Sequence, residues 1–220
     1  MPEPTMNFSN VNKVCDPDVF GQVTLFGAGS VGGYVAHGLA KLGVTDLTAY
    51  DDDVVESGNI PMSIYGQRDV GSLKVSALAE IVAYSAGTLI RAVPERFGGN
   101  APLHGCIVCC VDTMAARRMI WECVRREDSN VELLVDTRTS KELIWVFAID
   151  PKDPDDRALY EHHLRYKDGE TAHAMCGEHG IDYASKVAAA RACANLKEWK
   201  TRGIKKAYHS ELTGSIELIP

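Results

Sequence analysis

Gly27, Gly29 and Gly32 stand as G-x-G-x-x-G directly after the apolar run Val23-Thr24-Leu25-Phe26. In a loop of this spacing the first glycine permits a tight turn and the second lets a phosphate approach the main chain. The third lets a helix pack close to the preceding strand. Asp51, Asp52 and Asp53 follow, about 20 residues past the glycines, where a carboxylate meets a ribose hydroxyl in folds of this kind. Further along, Asn59, Lys74 (in Gly71-Ser72-Leu73-Lys74) and Asp112 add an amide, an ammonium and another carboxylate. Amide and ammonium suit phosphate oxygens, and a carboxylate suits Mg2+, which takes oxygen ligands. As a set these residues could hold Mg-ATP. Asn59, Lys74 and Asp112 have no standard role in a dinucleotide site, so ATP is favoured over NAD.

Such a set needs elements to bring it together. Residues 23–26 predict a buried strand, residues 34–42 a helix and residues 46–50 a second strand, which close a first βαβ unit. Residues 52–67 read as a loop broken by Gly58, Pro61 and Gly66, and Asp69 is placed to cap a helix running to about residue 86. Residues 88–93 predict a strand, and residues 104–112 a core strand that ends in Asp112. Residues 113–126 predict a helix with Ile120, Cys123 and Val124 toward the sheet, followed by strands over 131–136 and 143–149. Residues 151–156 read as a turn-rich break, and an alanine-rich helix over about 182–200 ends near Gly203 before a last short strand. Strands alternating with helices predict an α/β, Rossmann-like fold, with a mostly parallel sheet and helices on both faces. Ligands of such sheets bind at the carboxyl ends of the strands, where both Asp51 and Asp112 fall.

Composition narrows the function classes. The chain has 220 residues, 45% of them apolar, enough for one domain with a sizeable core. A net charge of -7 argues against non-specific nucleic-acid binding. No apolar run is long enough for a membrane helix, and the first residues, Met1-Pro2-Glu3-Pro4, lack the basic and apolar parts of a signal peptide. Seven cysteines, an odd number without disulfide-like spacing, point to a reducing cytoplasm. Cys106 and Cys109 form a C-x-x-C inside a predicted strand, where side chains three apart point to opposite faces, so the pair reads as core packing. The chain lacks a second C-x-x-C, so no structural zinc is expected. His162 and His163 lie in a polar stretch and are expected to be exposed.

Four ordered motifs carry a resemblance. Gly27/Gly29/Gly32, Asp51/Asp53/Val55/Asn59, Gly71/Lys74 and Asp112/Arg117 match G-x-G-x-x-G, D-x-D-x-V-x-x-x-N, G-x-x-K and D-N-x-x-x-R. In that order and near that spacing, the chain resembles the ThiF/MoeB/HesA family, bacterial relatives of ubiquitin-activating enzymes. The resemblance is strong over residues 20–138 and looser in the tail. It implies one ThiF-like nucleotide-binding domain over residues 1–220, with an irregular lead-in over 1–20 and a crossover loop over 165–180. It implies an ATP-dependent adenylyltransferase acting on the C-terminal carboxylate of a small ubiquitin-like or sulfur-carrier protein. Asp51 would hold the ribose, Asn59 and Lys74 the phosphates, and Asp112 the Mg2+, while Arg117 would pair within the fold. The same resemblance implies a homodimer.

The chain departs from the family at three points. The family follows its asparagine with Arg-Gln, where this chain has Met62-Ser63. Arg68 is the candidate substitute for that arginine. The family often supplies a second arginine from the N-terminal segment of a partner subunit, whereas here no arginine precedes Arg68. Thr113 follows Asp112 where the family prefers Asn. Guanidiniums missing from a phosphoryl site slow catalysis by orders of magnitude, so a non-catalytic module that binds ATP or a partner is the alternative, and an NAD-dependent oxidoreductase a third reading. Finally, Cys176 lies just ahead of a predicted helix with His173 and His179 nearby. A thiolate so placed could take an activated carboxylate as a thioester; the competing reading is a structural cysteine. Cys193, among alanines, is expected to be buried.

Overall fold

A computed structural model describes residues 7, 9–13, 15–166 and 181–213. Its centre is β1 (Val23–Phe26), whose four residues are all buried. The strands β2 (Leu47–Tyr50), β3 (Arg91–Val93), β4 (His104–Cys109), β5 (Asn130–Ser140), β6 (Leu143–Ile149) and β7 (Tyr208–Leu212) complete one sheet, ordered β3-β2-β1-β4-β5-β6-β7. The first five in that order run parallel; β6 is antiparallel to β5, and β7 is antiparallel to β6. From β1 the chain builds outward through β2 and β3, then returns to lay β4 against the other side of β1. That reversal opens a crevice at the carboxyl ends of β1 and β4, the topological switch point where such sheets bind ligands.

Among the described residues, five α-helices cover the sheet: α1 (Ser30–Lys41), α2 (Lys74–Ala86), α3 (Met114–Val124), α4 (Pro154–His163) and α5 (Asp182–Arg202). Leu39 of α1, Leu78 of α2 and Leu196 of α5 are packed in one core with Leu25 and Val108. Ile120 and Trp121 of α3 and Tyr160 of α4 form the second with Phe26, Ile107 and Phe147. Cys106 belongs to the first core and Cys109 to the second, as the two-residue period of a strand requires. Burying a leucine as completely as Leu39 stabilises the fold by about 1.5–3 kcal/mol.

Several elements differ from expectation. Helix α1 starts at Ser30, inside the glycine motif, and carries Gly32 and Gly33 at positions where a side chain would collide. Asp69 does not cap α2; it lies in a short 3-10 turn (Gln67–Asp69) and accepts the Gly66 amide at 2.7 Å. The helix starts instead where the loop folds back on itself, with the Lys74 amide on the Asp53 carbonyl at 2.9 Å and an isolated bridge between Val54 and Leu73. Residues 151–156 are not simply a break. Asp153 accepts from the amides of Asp155 and Asp156, and Pro154 opens α4. His163 is not exposed either, since its ring stacks on Tyr208 at 5.1 Å and meets Phe147 at 5.0 Å. Strand β4 ends at Cys109, so Asp112 stands in the loop beyond it, and β5 runs on to Ser140 as one arm of a hairpin with β6.

Candidate functional site

The three glycines do different work. Gly27 has φ +89°, and a Cβ there would stand 2.6 Å from the Cys110 carbonyl oxygen. A Cβ on Gly32 would lie 1.9 Å from the Gly27 carbonyl oxygen. Both positions are closed to side chains by packing. Gly29 is ordinary in φ, at -74°, and nothing lies within 4 Å of its missing Cβ. The open space sits at the start of α1, where the first-turn N–H groups and the positive dipole end favour an anion.

Asp51 holds this loop. Its Oδ2 accepts the Ala28 amide at 2.7 Å and its Oδ1 the Asp53 amide at 2.9 Å. Burial pushes its carboxyl above the ordinary 3.8, partly offset by those two amides and by the charge of Lys74. Tyr65 supports the loop from below, donating to the Ala28 carbonyl at 2.6 Å with the Lys74 carbonyl 3.1 Å away. The glycine loop, the end of β2 and the start of α2 are thereby joined.

Gly27, Gly29, Asp51, Asp53, Lys74 and Asp112 line one cavity of about 200 Å³. It sits at the carboxyl ends of β1, β2 and β4, walled on one side by Ala116, Met119 and Ile120 of α3. Carboxylate oxygens of Asp51, Asp52 and Asp53 lie within 4.8 Å of one another. Their repulsion is relieved outward. Lys74 Nζ meets Asp53 Oδ2 at 2.7 Å and Arg96 Nε meets Asp52 Oδ1 at 3.3 Å, which leaves Asp51 to the backbone amides. Asp112 is exposed on the cavity, next to Thr113, whose hydroxyl caps α3 by accepting the Ala116 amide.

Other expected residues lie elsewhere. Gly32 supports the loop and does not line the cavity. Nor does Asn59, whose Oδ1 accepts the Glu56 amide at 2.9 Å and closes a 3-10 turn (Ser57–Met62). Arg68 does not reach the cavity; its side chain is 72% exposed and its Nε lies 3.4 Å from Asp69. Arg117 pairs within the fold, 2% exposed, with Nε on Asp136 Oδ1 at 3.0 Å. Arg138 takes the other oxygen of Asp136 at 2.9 Å, and the Tyr160 hydroxyl donates to it at 3.1 Å, which ties α3 and α4 to β5. Asp52 and Asp53 are both exposed. Cys193 is buried. Cys176, His173 and His179, with the expected crossover loop from residue 167 on, lie outside the described residues.

Sequence reasoning missed Tyr65, Arg96 and Phe97. Tyr65 lies in an aperiodic loop. Arg96 and Phe97 follow a three-residue strand and reach the site only through the β2–β3 pairing. The one signal was the aromatic residue itself: Phe97 packs at 4.6 Å from Phe26 and 6.0 Å from Tyr50, across two strands.

Comparison with known proteins agrees with this architecture. The family model described as ThiF family matches residues 20–196. Among solved structures, E. coli MccB with AMPCPP and MccA is similar with a TM-score of 0.67 and 14% identity, over 93% of this chain and 67% of that one. E. coli MccB with ATP gives 0.68 and 14%, over 90% and 66%. PaaA gives 0.69 and 15%, over 91% and 64%. The chain thus spans about two thirds of the length of these structures. No curated protein matches it.

Proposed function

The chain belongs to the ThiF family, and from that premise we propose that it is an ATP-dependent adenylyltransferase acting on the carboxylate of a peptide or small protein. The observation that carries this reading is the convergence of the open Gly29 position, Asp51, Lys74 and Asp112 on one cavity at the switch point. The residues fit the nucleotide. An anion has room at the start of α1, a carboxylate stands at the end of β2 for sugar hydroxyls, and an ammonium stands close by. The MccB structures with ATP and with AMPCPP and MccA support a nucleotide and a small partner in this fold.

When bound, Mg-ATP supplies an α-phosphorus that a carboxylate oxygen attacks as pyrophosphate departs. The chain's task is positioning and charge stabilisation. The amides opening α1 hold phosphate oxygens beside Gly29, where no side chain intervenes. Asp51 keeps lone pairs for sugar hydroxyls beyond those engaged by Ala28 and Asp53. Lys74 exchanges Asp53 for phosphate charge, an exchange of low cost because the pair is solvent-exposed on the Asp53 side. Asp112 offers carboxylate oxygens to Mg2+. Asn59 spends its Oδ1 on the Glu56 amide and does not line the cavity, so its part is to shape the loop. The finer reading is that the acceptor is the C-terminus of a ubiquitin-like or sulfur-carrier protein, that Cys176 receives the activated carboxylate, and that the protein acts as a cytoplasmic homodimer. Among the described residues no helix is long and apolar enough to cross a membrane.

One observation favours a second reading, nucleotide binding without turnover. Met62 and Ser63 replace the family's Arg-Gln pair, and Arg68 points away from the cavity. ATP–pyrophosphate exchange in the presence of carrier-protein C-terminal peptides separates the two. Exchange that Asp112→Ala abolishes supports the enzyme; ATP binding without exchange supports the module.

A further inference from the structure

One arginine lines the cavity among the described residues, and the chemistry above does not use it. Arg96 stands just past β3, its side chain 76% exposed, with Nε 3.3 Å from Asp52 Oδ1. Its neighbour Phe97 is anchored against Phe26 and Tyr50, so the stem of Arg96 is fixed at the cavity rim. The Asp52 contact is an exposed ion pair and holds the guanidinium only weakly.

The strand order sets what Arg96 faces. Along the carboxyl edge stand Asp112 after β4, the glycine loop after β1, Asp51 after β2 and Arg96 after β3. With phosphate at the glycine loop and sugar at Asp51, the lining left for the base is Phe97, beside Arg96, and the Met119–Ile120 wall of α3. Those residues offer the base an apolar inner face. A guanidinium is planar, weakly hydrated and cationic, and it stacks on aromatic faces. We propose that Arg96 leaves Asp52 to stack on the outer face of the nucleobase, making it a base-holding, specificity-determining residue of this cavity. The inference rests on the ATP reading above and assigns the arginine to the base rather than to the triphosphate.

The test is calorimetric titration of ATP, adenosine and inorganic tripolyphosphate at about 0.15 M salt, where long-range charge effects are screened. It uses the wild-type chain, Arg96→Ala and Arg96→Ser. The expected result is that both variants weaken ATP and adenosine by a common factor of about five, as befits a partly exposed cation–π contact, while tripolyphosphate is unaffected. If ATP and tripolyphosphate weaken together and adenosine does not, Arg96 is a phosphate contact and the inference is wrong. Unchanged ATP and adenosine affinities also overturn it, with the ATP reading left standing. A wild-type chain that binds neither ATP nor adenosine overturns that reading, and this inference with it.

Discussion

The backbone N–H of Ala28 donates to Oδ2 of Asp51 over 2.7 Å, which ties the tip of the glycine loop to the end of β2. The proposed phosphate cradle and the proposed sugar-binding carboxylate are therefore one mechanical unit, closed from below by Tyr65. The state of Asp51 governs both.

Burial raises the Asp51 carboxyl above its ordinary 3.8. A carboxyl with a raised folded-state pKa binds protons more readily folded than unfolded. Its charge therefore costs stability at neutral pH, and that cost is relieved as pH falls through the window just above the ordinary value. Nucleotide binding runs the other way, because protonation removes acceptor capacity toward sugar hydroxyls and Ala28. ATP affinity is expected to fall as pH is lowered from neutral toward about 5, and Asp51→Asn should bind weakly with a flat profile. Calorimetry across that range checks both; a flat wild-type profile would contradict the role given to Asp51.

Gly29 and Gly32 separate function from packing. Gly32→Ala puts a Cβ 1.9 Å from the Gly27 carbonyl oxygen and forces α1 away from β1, at a cost of about 1–3 kcal/mol or more. Gly29→Ala meets nothing within 4 Å and should change stability by no more than about 0.5 kcal/mol, yet its methyl group occupies the space proposed for phosphate. Urea unfolding should therefore find Gly32→Ala strongly destabilised and Gly29→Ala near wild type, with ATP binding lost in the latter. A Gly29→Ala variant that binds ATP normally would remove the cradle from the account.

The buried pairing of Arg117 and Arg138 with Asp136 is structural. Asp136→Ala would strand two guanidiniums that are each only 2% exposed, and breaking such a pair costs about 3–5 kcal/mol. Urea unfolding should show a loss of that size, whereas Asp112→Ala, exposed in the cavity, should leave the midpoint unchanged and remove ATP-dependent activity. Retained activity in Asp112→Ala would count against its Mg2+ role.

Cys176→Ser is expected to leave ATP–pyrophosphate exchange intact and to remove any thioester formed with the acceptor. Gel analysis with and without reductant reads this out. A reducible adduct that survives the substitution would place the nucleophile on another cysteine.

Much of the fold was legible because its signals are local. Residues 23–26 form a continuous apolar run that becomes a strand with all four residues buried, and Val75, Leu78 and Val82 recur at helical spacing and form the buried face of α2. Where the reading slipped, local rules competed. Residues 151–156 read as a turn-rich break, but Pro154 within them serves as the first residue of α4 behind an Asp153 cap. Strand β5 carries Asp136 and Arg138 into the core, charges that no apolar pattern can reveal, since they are tolerated only because Arg117 and Tyr160 arrive from other helices. The same limit hid Arg96. Its distance from Asp52 is a product of sheet order, and nothing within its own segment marks it as a site residue.

The most direct test of the central claim is calorimetric titration of the wild-type chain with ATP, with and without Mg2+, and with NAD as the control. The account predicts ATP binding in the micromolar range that depends on Mg2+, with NAD binding far more weakly. Absence of ATP binding, or a preference for NAD, would contradict it and leave a chain that keeps the ThiF fold without its nucleotide.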